Sequence, residues 1–211
     1  MSFFKTLGSR PALLLGALAA TLALSACAPL VVGGAVGGAL MVTDRRSSGT
    51  QVDDQAIELK AINRVHEAIG DRGHVNATSY ERTVLLTGEV PSEADRTAVE
   101  QAVSRIDNVR GTVNELAIAG HSSLTSRSND TIITGKVKAA FVDAKDLQSN
   151  AIKVVTERAI VYLMGRVTER EAARATEVAR GVSGVQKVVR MFQVVSEKDL
   201  ANTTPTAPIS K

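Results

Sequence analysis

The segment Val84-Leu85-Leu86-Thr87-Gly88-Glu89-Val90 recurs later in the chain as Val161-Tyr162-Leu163-Met164-Gly165-Arg166-Val167. Each copy is an apolar run of strand length with a glycine near its end. A Ser/Thr-x-x-acid pattern follows each run at once, at Ser92 with Asp95 and at Thr168 with Glu171. This pattern is typical of a helix start, because the side chains satisfy free backbone N–H groups. A strand that leads directly into a helix, twice, predicts two copies of one small unit.

The segments before and after each repeated block complete the predicted unit, because their apolar residues recur at regular spacing. The helix after each block shows apolar residues at helical spacing, and a closing strand follows at 109–118 and at 185–195. Upstream of each block lie an amphipathic segment, at 54–69 or 130–142, and a weaker strand, at 75–79 or 152–156. The predicted order is α-β-β-α-β, with two helices on one face of a three-stranded sheet. Units of about 65 residues are near the lower limit for independent folding, so we expect the copies to pack together.

The repeated unit resembles the BON domain. The resemblance covers residues 54–195 and is carried by the strand-Gly-x-Val block with its turn and helix, and by the closing strand. It implies an α+β fold of two tandem BON domains, each α-β-β-α-β. We predict the following organisation: signal peptide 1–26, lipidated cysteine with a Gly-rich tether 27–53, first BON domain 54–119, linker 120–129, second BON domain 130–196 and disordered tail 197–211.

The first residues have the three-part layout of a secretory signal peptide. Lys5 and Arg10 precede an apolar stretch at 12–24, which leads to Cys27, the single cysteine. Leu24-Ser25-Ala26-Cys27 resembles a bacterial lipobox, which implies acylation of Cys27, for example with palmitate, and cleavage just before it. The alternative is an uncleaved transmembrane anchor, since apolar residues resume at 30–42. That segment is rich in glycine and shorter than the about 20 residues that a span requires.

The residue after the lipobox cysteine is Ala28. In Gram-negative lipoproteins an aspartate there favours inner-membrane retention, so Ala28 predicts the outer membrane, with the domains facing the periplasm. With the lipobox included, the whole chain is similar to dual BON-domain outer-membrane lipoproteins of proteobacteria. This resemblance implies binding of anionic phospholipid through the first helix of the second BON domain, and a role in the integrity of the cell envelope. Regions rich in cardiolipin or phosphatidylglycerol, such as cell division sites, are the expected destination.

Charge is divided unequally between the two copies. Residues 54–119 hold 7 basic and 11 acidic side chains, a net charge of −4, whereas residues 130–196 hold 11 basic and 7 acidic, a net charge of +4. A basic domain near a membrane is attracted to anionic headgroups. Alternatively, the opposite charges dock the two domains on each other. Without residues 1–26 the chain has 23 basic and 22 acidic residues and no tryptophan, so we expect no nucleic-acid partner.

The helix predicted from Asp130 has a second apolar face opposite its core face. A strip of apolar and small residues with a lysine on each flank forms the predicted phospholipid-binding set: Ile132, Gly135, Lys136, Lys138, Ala139 and Val142. On the equivalent helix of the first copy, we predict a single outward-facing apolar residue, Leu59. An exposed apolar strip edged by lysines suits shallow insertion among headgroups. Alternatively, Ile132 and Val142 pack on the first domain or on a loop.

No pattern in the sequence indicates catalysis, a cofactor or a metal site. His66, His74 and His121 have no carboxylate or thiol at ligand spacing, and no serine has the setting of a nucleophile. We predict structural roles for Gly88 and Gly165, since both end an apolar strand at the same point of the repeat.

The charged pairs Arg45-Arg46 and Asp53-Asp54 are predicted to be solvated. The chain is thus predicted to be a non-enzymatic protein that binds anionic phospholipid. The alternatives are a scaffold that docks a protein of outer-membrane assembly or cell division, and a stress protein without a specific ligand.

Overall fold

The computed structural model describes residues 44–203, with side chains over 44–200. The signal peptide, Cys27, the predicted tether up to residue 43 and the last eight residues, 204–211, lie outside the described residues. The first domain consists of helix α1 (Ser48–Ile69), strands β1 (His74–Tyr80) and β2 (Thr83–Val90), helix α2 (Glu93–Ser104) and the short strands β3 (Gly111–Asn114) and β4 (Ala117–Ile118). The second domain consists of α3 (Leu124–Asp143), β5 (Ile152–Glu157), β6 (Ile160–Val167), α4 (Glu169–Arg180) and β7 (Lys187–Val194), and α5 (Glu197–Thr203) follows it.

The two sheets have the same topology. In each, the strand of the repeated block is central, with the preceding strand antiparallel to it and the closing strand parallel to it. The parallel pairing requires a crossover connection, which α2 and α4 supply. Both predicted helix starts are observed: Ser92 accepts a hydrogen bond from Asp95 N, and Thr168 with Glu171 forms a complete capping box. The predicted α+β fold and the order α-β-β-α-β are confirmed, except that the closing strand of the first domain, predicted as one strand at 109–118, is divided into β3 and β4.

Each domain buries its own core between the two helices and one face of the sheet. Ile57, Ala61 and Val65 of α1 pack with Val84 and Leu86 of β2 in the first domain. The second domain repeats the arrangement with α3 packed on β6, through Ile133, Val137, Phe141, Val161 and Leu163. Burial of these side chains stabilises each helix on its sheet by the hydrophobic effect, at about 1.5–3 kcal/mol for each fully buried large residue.

The opposite faces of the two sheets pack on each other. Tyr80, Leu85, Tyr162 and Met164 form a buried cluster between the domains, which we call the interdomain cluster. Strands β2 and β6 are therefore covered on both faces, which explains why their sequences are apolar nearly throughout rather than alternating. The expectation that the two copies pack together is confirmed, and the helices of each domain lie on the outer side of its sheet.

Charged groups also join the two domains. Lys153 Nζ lies 2.8 Å from Glu58 Oε1 and donates to the carbonyl oxygen of Ser79 at 3.2 Å. Arg158 Nη1 lies 3.9 Å from Glu89 Oε1. Part of the charge difference between the domains therefore serves their docking, as one of the two alternatives expected. The lysines on α3 take no part in it.

Glu157 at this junction gives a pH-dependent prediction. Burial raises the pKa of Glu157, and the Glu89 carboxylate adds to this effect, whereas a hydrogen bond from Asn76 opposes it. Because the ionised form is less favourable in the folded than in the unfolded state, the charge lowers stability at pH 7. This cost disappears as the pH falls below the ordinary glutamate value of 4.5.

We expect Glu157→Gln to raise the free energy of unfolding at pH 7 by up to about 1 kcal/mol, with no gain near pH 4. Urea unfolding at both pH values measures this difference. A gain in unfolding free energy of equal size at both pH values would contradict the assignment of this effect to the ionisation of Glu157.

Two tight turns depend on aspartates of the first helices. Glu81 and Arg82 at the β1–β2 turn have φ of 51° and 63°, and Arg158 and Ala159 at the β5–β6 turn have φ of 52° and 60°. Turns of this kind usually contain Gly, Asn or Asp. In the first domain, Asp54 accepts hydrogen bonds from Glu81 N at 2.9 Å and Arg82 N at 2.7 Å. Asp130 binds the second turn in the same way, at 2.9 Å and 2.8 Å.

The prediction that Arg45, Arg46 and Asp54 are solvated is therefore wrong. Asp54 is buried beneath its turn, Arg45 pairs with Glu171 of the second domain, and Arg46 pairs with Asp54. Asp53 is partly exposed and pairs with Arg82. Glu171 and Arg82 are distant in sequence from Arg45 and Asp53, so the local pattern of two charged pairs did not reveal these contacts.

Three element boundaries also differ from the sequence prediction. Helix α1 begins at Ser48, capped by Ser47, and α3 begins at Leu124, capped by Ser123, inside the predicted 120–129 linker. Helix α5 lies in the segment predicted to be disordered, and Ser196 accepts a hydrogen bond from Asp199 N at its start. These segments are rich in polar residues without apolar periodicity, so side-chain capping rather than a core face defines where the helices begin.

Candidate functional site

The outward face of α3 carries an exposed apolar strip. Ile132 and Val142 are 56% and 67% exposed, and Gly135 and Ala139 between them are also exposed. Ile133, Val137 and Phe141 hold the opposite face of the helix in the core. The structure thus places the predicted residues together on one free surface. The alternative that Ile132 and Val142 pack on the first domain or a loop is wrong.

Leu124 extends this surface by two turns and was missed by the sequence prediction. Its side chain is 80% exposed, and at 100° per residue it projects on the same side of the helix as Val142. We call Leu124, Ile132, Gly135, Ala139 and Val142 the outer strip. Leu124 could have been recognised only by assigning Ser123 as the helix cap, a weak signal in a Ser/Thr-rich segment.

Lys136 and Lys138 flank the outer strip on opposite sides, and both side chains are exposed. Within residues 44–200, neither lysine has an ion-pair partner. Lys153 and Arg158 of the same domain are by contrast directed to carboxylates of the first domain. Lys136 and Lys138 therefore remain available to bind an anionic ligand at the edges of the outer strip.

Gly135 is not required by packing, since a Cβ atom at this position would meet no atom within 4 Å. A glycine inside a helix lowers its stability relative to alanine by roughly 0.5–1 kcal/mol. The absence of a side chain at Gly135 leaves the helix backbone accessible within the outer strip.

Gly88 and Gly165 lie where a neighbouring strand passes very close. A Cβ on Gly88, whose φ is +113°, would be 2.0 Å from the carbonyl oxygen of His74. A Cβ on Gly165 would be 2.6 Å from the carbonyl oxygen of Ala151. These distances support the structural role expected for both glycines.

The described residues lack groups suited to metal binding or to crossing a membrane. Among residues 44–203, no three His, Cys, Asp or Glu side chains are close enough to hold a metal ion. None of the helices in this range combines the length and the apolar composition of a membrane span.

The family model of the BON domain matches residues 53–120 and 129–196. The chain belongs to the BON family. It is 36% identical over 179 residues to Outer membrane lipoprotein DolP of Haemophilus influenzae, which covers 83% of this chain and 92% of that protein. It is 30% identical over 154 residues to a 21 kDa hemolysin of Actinobacillus pleuropneumoniae, which covers 72% of this chain and 79% of that protein.

A third relative matches only part of the chain. Osmotically-inducible protein Y of Escherichia coli is 40% identical over 72 residues, which is 34% of this chain and 36% of that protein. With two BON domains and similarity over most of its length to an outer-membrane lipoprotein, the chain is a dual BON-domain lipoprotein anchored by lipid in the outer membrane. The predicted family and location are confirmed.

The first helices of the two BON domains have different outward faces. On α1, Val52 and Ile62 are exposed as well as Leu59, so the prediction of a single outward apolar residue is wrong. The basic side chains of α1 are paired inside their own domain, however. Lys60 lies 3.4 Å from Asp107, and Arg64 lies 2.8 Å from Glu67. An apolar strip whose flanking lysines have no partner among the described residues therefore distinguishes α3 from α1.

Proposed function

We propose that this BON lipoprotein binds anionic phospholipid through the outer strip of α3 and its flanking lysines. The observation that carries the proposal is the combination of an exposed apolar strip with Lys136 and Lys138, neither of which has a partner in the described part of the chain. Acylation of Cys27, which lies outside the described residues, would anchor the protein on the periplasmic side of the outer membrane. Cardiolipin and phosphatidylglycerol are the ligands that this chemistry fits, and support of outer-membrane integrity is the cellular role.

The expected energies indicate a weak and reversible contact. A lysine close to an anionic surface contributes about 1 kcal/mol, and full burial of a Val, Leu or Ile side chain contributes about 1.5–3 kcal/mol. Partial insertion of Leu124, Ile132 and Val142 therefore yields a few kcal/mol after the cost of association. Such a contact adds little to the residence that a lipid anchor provides. Its use would be to select lipid composition.

The test is co-sedimentation of a soluble form, from Asp44 onward, with vesicles. Phosphatidylcholine vesicles are compared with vesicles that also contain cardiolipin, at low and high salt. We expect binding only to the anionic vesicles, weakening as salt screens the lysines. The double substitution Ile132→Glu with Val142→Glu should reduce binding at least about 100-fold, because carboxylates replace the inserting groups on an anionic surface.

A matched control is available on the equivalent helix of the first domain. Val52→Glu with Leu59→Glu places the same charges on exposed positions of α1, and we expect unchanged vesicle binding. Loss of binding in this control, or equal binding to neutral vesicles, would contradict the assignment to α3. No binding by the native protein at low salt would leave the scaffold function in its place.

The exposed face of α1 favours that second candidate. Val52, Leu59 and Ile62 form an apolar surface without unpaired lysines, on a domain with a net negative charge. Such a surface suits a protein of outer-membrane assembly or cell division better than an anionic bilayer. Binding of this kind would not require vesicles.

A further inference from the structure

We propose that residues 44–46, which we call the strap, lock the two BON domains together at the point where the chain leads toward its membrane anchor. The strap precedes α1 and so belongs by sequence to the first domain. Its contacts nevertheless reach both domains. The proposal does not depend on lipid binding by α3.

In the described part of the chain, the side-chain hydrogen bonds of Arg45 are all made with the second domain. Its guanidinium group donates to both carboxylate oxygens of Glu171, at 2.7 Å and 2.8 Å. It also donates to the carbonyl oxygen of Arg166 at 3.1 Å and to Gln148 Oε1 at 3.1 Å. The side chain is only 11% exposed. A paired, bidentate guanidinium of this kind is among the stronger polar contacts in proteins.

The partner of Arg45 is fixed independently of the strap. Glu171 belongs to the capping box of α4, where it accepts a hydrogen bond from Thr168 N at 3.0 Å. The hydrogen bond from Arg45 lowers the pKa of Glu171, and the bond from Thr168 acts in the same direction. Removal of Arg45 would leave the buried Glu171 carboxylate without its cation, which lowers the stability of the folded state.

Arg46 makes the matching contacts with the first domain. It donates to Asp54 Oδ2 at 2.8 Å and pairs with Asp44, and its guanidinium carbon lies 4.5 Å from the centre of the Tyr80 ring. The hydroxyl oxygen of Tyr80 in turn accepts a hydrogen bond from Arg166 N of the second domain at 3.0 Å. Two adjacent residues thus hold opposite sides of one interface.

The direct contact between the domains has imperfect polar pairing. Glu89 is buried at the junction, yet its Oε1 atom accepts no hydrogen bond in the described part of the chain, and the Arg158 guanidinium is 3.9 Å away. This oxygen is left unsatisfied, which opposes docking, whereas Oε2 accepts a hydrogen bond from Ser122 N at 3.3 Å. The four hydrogen bonds of Arg45 add polar contacts of good geometry to this interface.

The composition of the chain supplies a probe of this interface. The protein has two tyrosines and no tryptophan, and both tyrosines belong to the interdomain cluster. Tyr162 is the better probe of the two. It is buried, and its hydroxyl group lies 3.5 Å from Glu115, whereas the ring of Tyr80 lies beside Arg46 of the strap. Its chemical reactivity should rise only when the two sheets separate.

The experiment measures nitration of Tyr162 by tetranitromethane in the full-length lipoprotein in detergent, with peptide mapping of the modified residue. We expect Arg45→Ala to raise the rate at least about tenfold while the far-UV circular dichroism stays unchanged. Glu171→Gln should have the same effect, and the double variant should exceed either single variant only slightly. Arg174→Ala is the matched control, since Arg174 also lies on α4 but pairs at the surface with Asp146 and Glu177. We expect it to leave the rate unchanged.

An unchanged rate in folded Arg45→Ala would overturn the proposal. If that variant does not fold, Arg45→Lys keeps the charge but loses the bidentate geometry, and a raised Tyr162 rate with native circular dichroism supports the strap. Loss of helical signal in both variants would also overturn it, because the segment would then hold the fold of the domains rather than their docking.

Discussion

Replacement of Gly88 by valine should unfold the first BON domain. The Cβ atom would lie 2.0 Å from the His74 carbonyl oxygen, a backbone atom that cannot move without breaking the pairing of β1 with β2. The φ of +113° is in addition unfavourable for any residue with a side chain, above all a β-branched one. We expect a loss of more than about 4 kcal/mol in the free energy of unfolding, measured by urea titration with circular dichroism.

Two other glycines provide the comparison. Gly135→Ala adds a methyl group in open space and should raise stability by roughly 0.5–1 kcal/mol, since alanine favours the helix. Gly165→Val meets a backbone oxygen at 2.6 Å without a positive φ and should be destabilising, but less so than Gly88→Val. A Gly88→Val protein as stable as the native one would contradict the close approach of β1.

Replacement of Asp54 by alanine is the second large effect that we expect. The Asp54 carboxylate accepts hydrogen bonds from Ser79 Oγ, from two turn N–H groups and from Arg46. Its removal leaves the hydroxyl group of Ser79 and the two turn N–H groups without this acceptor and frees a turn with two residues of positive φ, whereas Arg46 keeps its pairing with Asp44. We expect a loss of about 3–5 kcal/mol, measured by thermal or urea unfolding.

The neighbouring aspartate is the control for this prediction. Asp53 is partly exposed and, among residues 44–200, pairs with the Arg82 side chain alone, so Asp53→Ala should cost less than about 1 kcal/mol. Asp130→Ala should reproduce much of the Asp54 effect in the second domain, because Asp130 binds the equivalent turn. Equal losses of unfolding free energy for Asp53→Ala and Asp54→Ala would contradict this prediction. They would show that the charge removed from α1, rather than the hydrogen bonds to the turn, determines the loss.

The fold could be predicted from the sequence because its signals are local and occur twice. The apolar block, its glycine and the capping pattern after it lie within a dozen residues of one another, and each copy confirmed the assignment of the other. The exposure of Ile132 and Val142 was predictable for the same reason, since helical periodicity alone separates them from Ile133 and Val137.

The residues that the prediction missed act across long distances in sequence. Asp54 has the sequence setting of a solvated helix start, and only the fold brings the β1–β2 turn onto its carboxylate. Arg45 lies 126 residues from Glu171. Leu124 and the first turns of α1 were missed because they follow polar caps rather than an apolar pattern. Composition and periodicity contain no information on such pairings.

The interdomain cluster has a consequence for how the chain folds after export. The first domain reaches the periplasm before the second, and until the second domain folds, Tyr80 and Leu85 on the first sheet have no covering surface. Partly folded proteins with apolar sheet faces of this kind are prone to aggregation. The exported protein therefore passes through a vulnerable interval that ends when β6 brings Tyr162 and Met164 onto the sheet of the first domain. Binding of other proteins to this sheet face would protect the chain most in that interval, before the second domain covers the face.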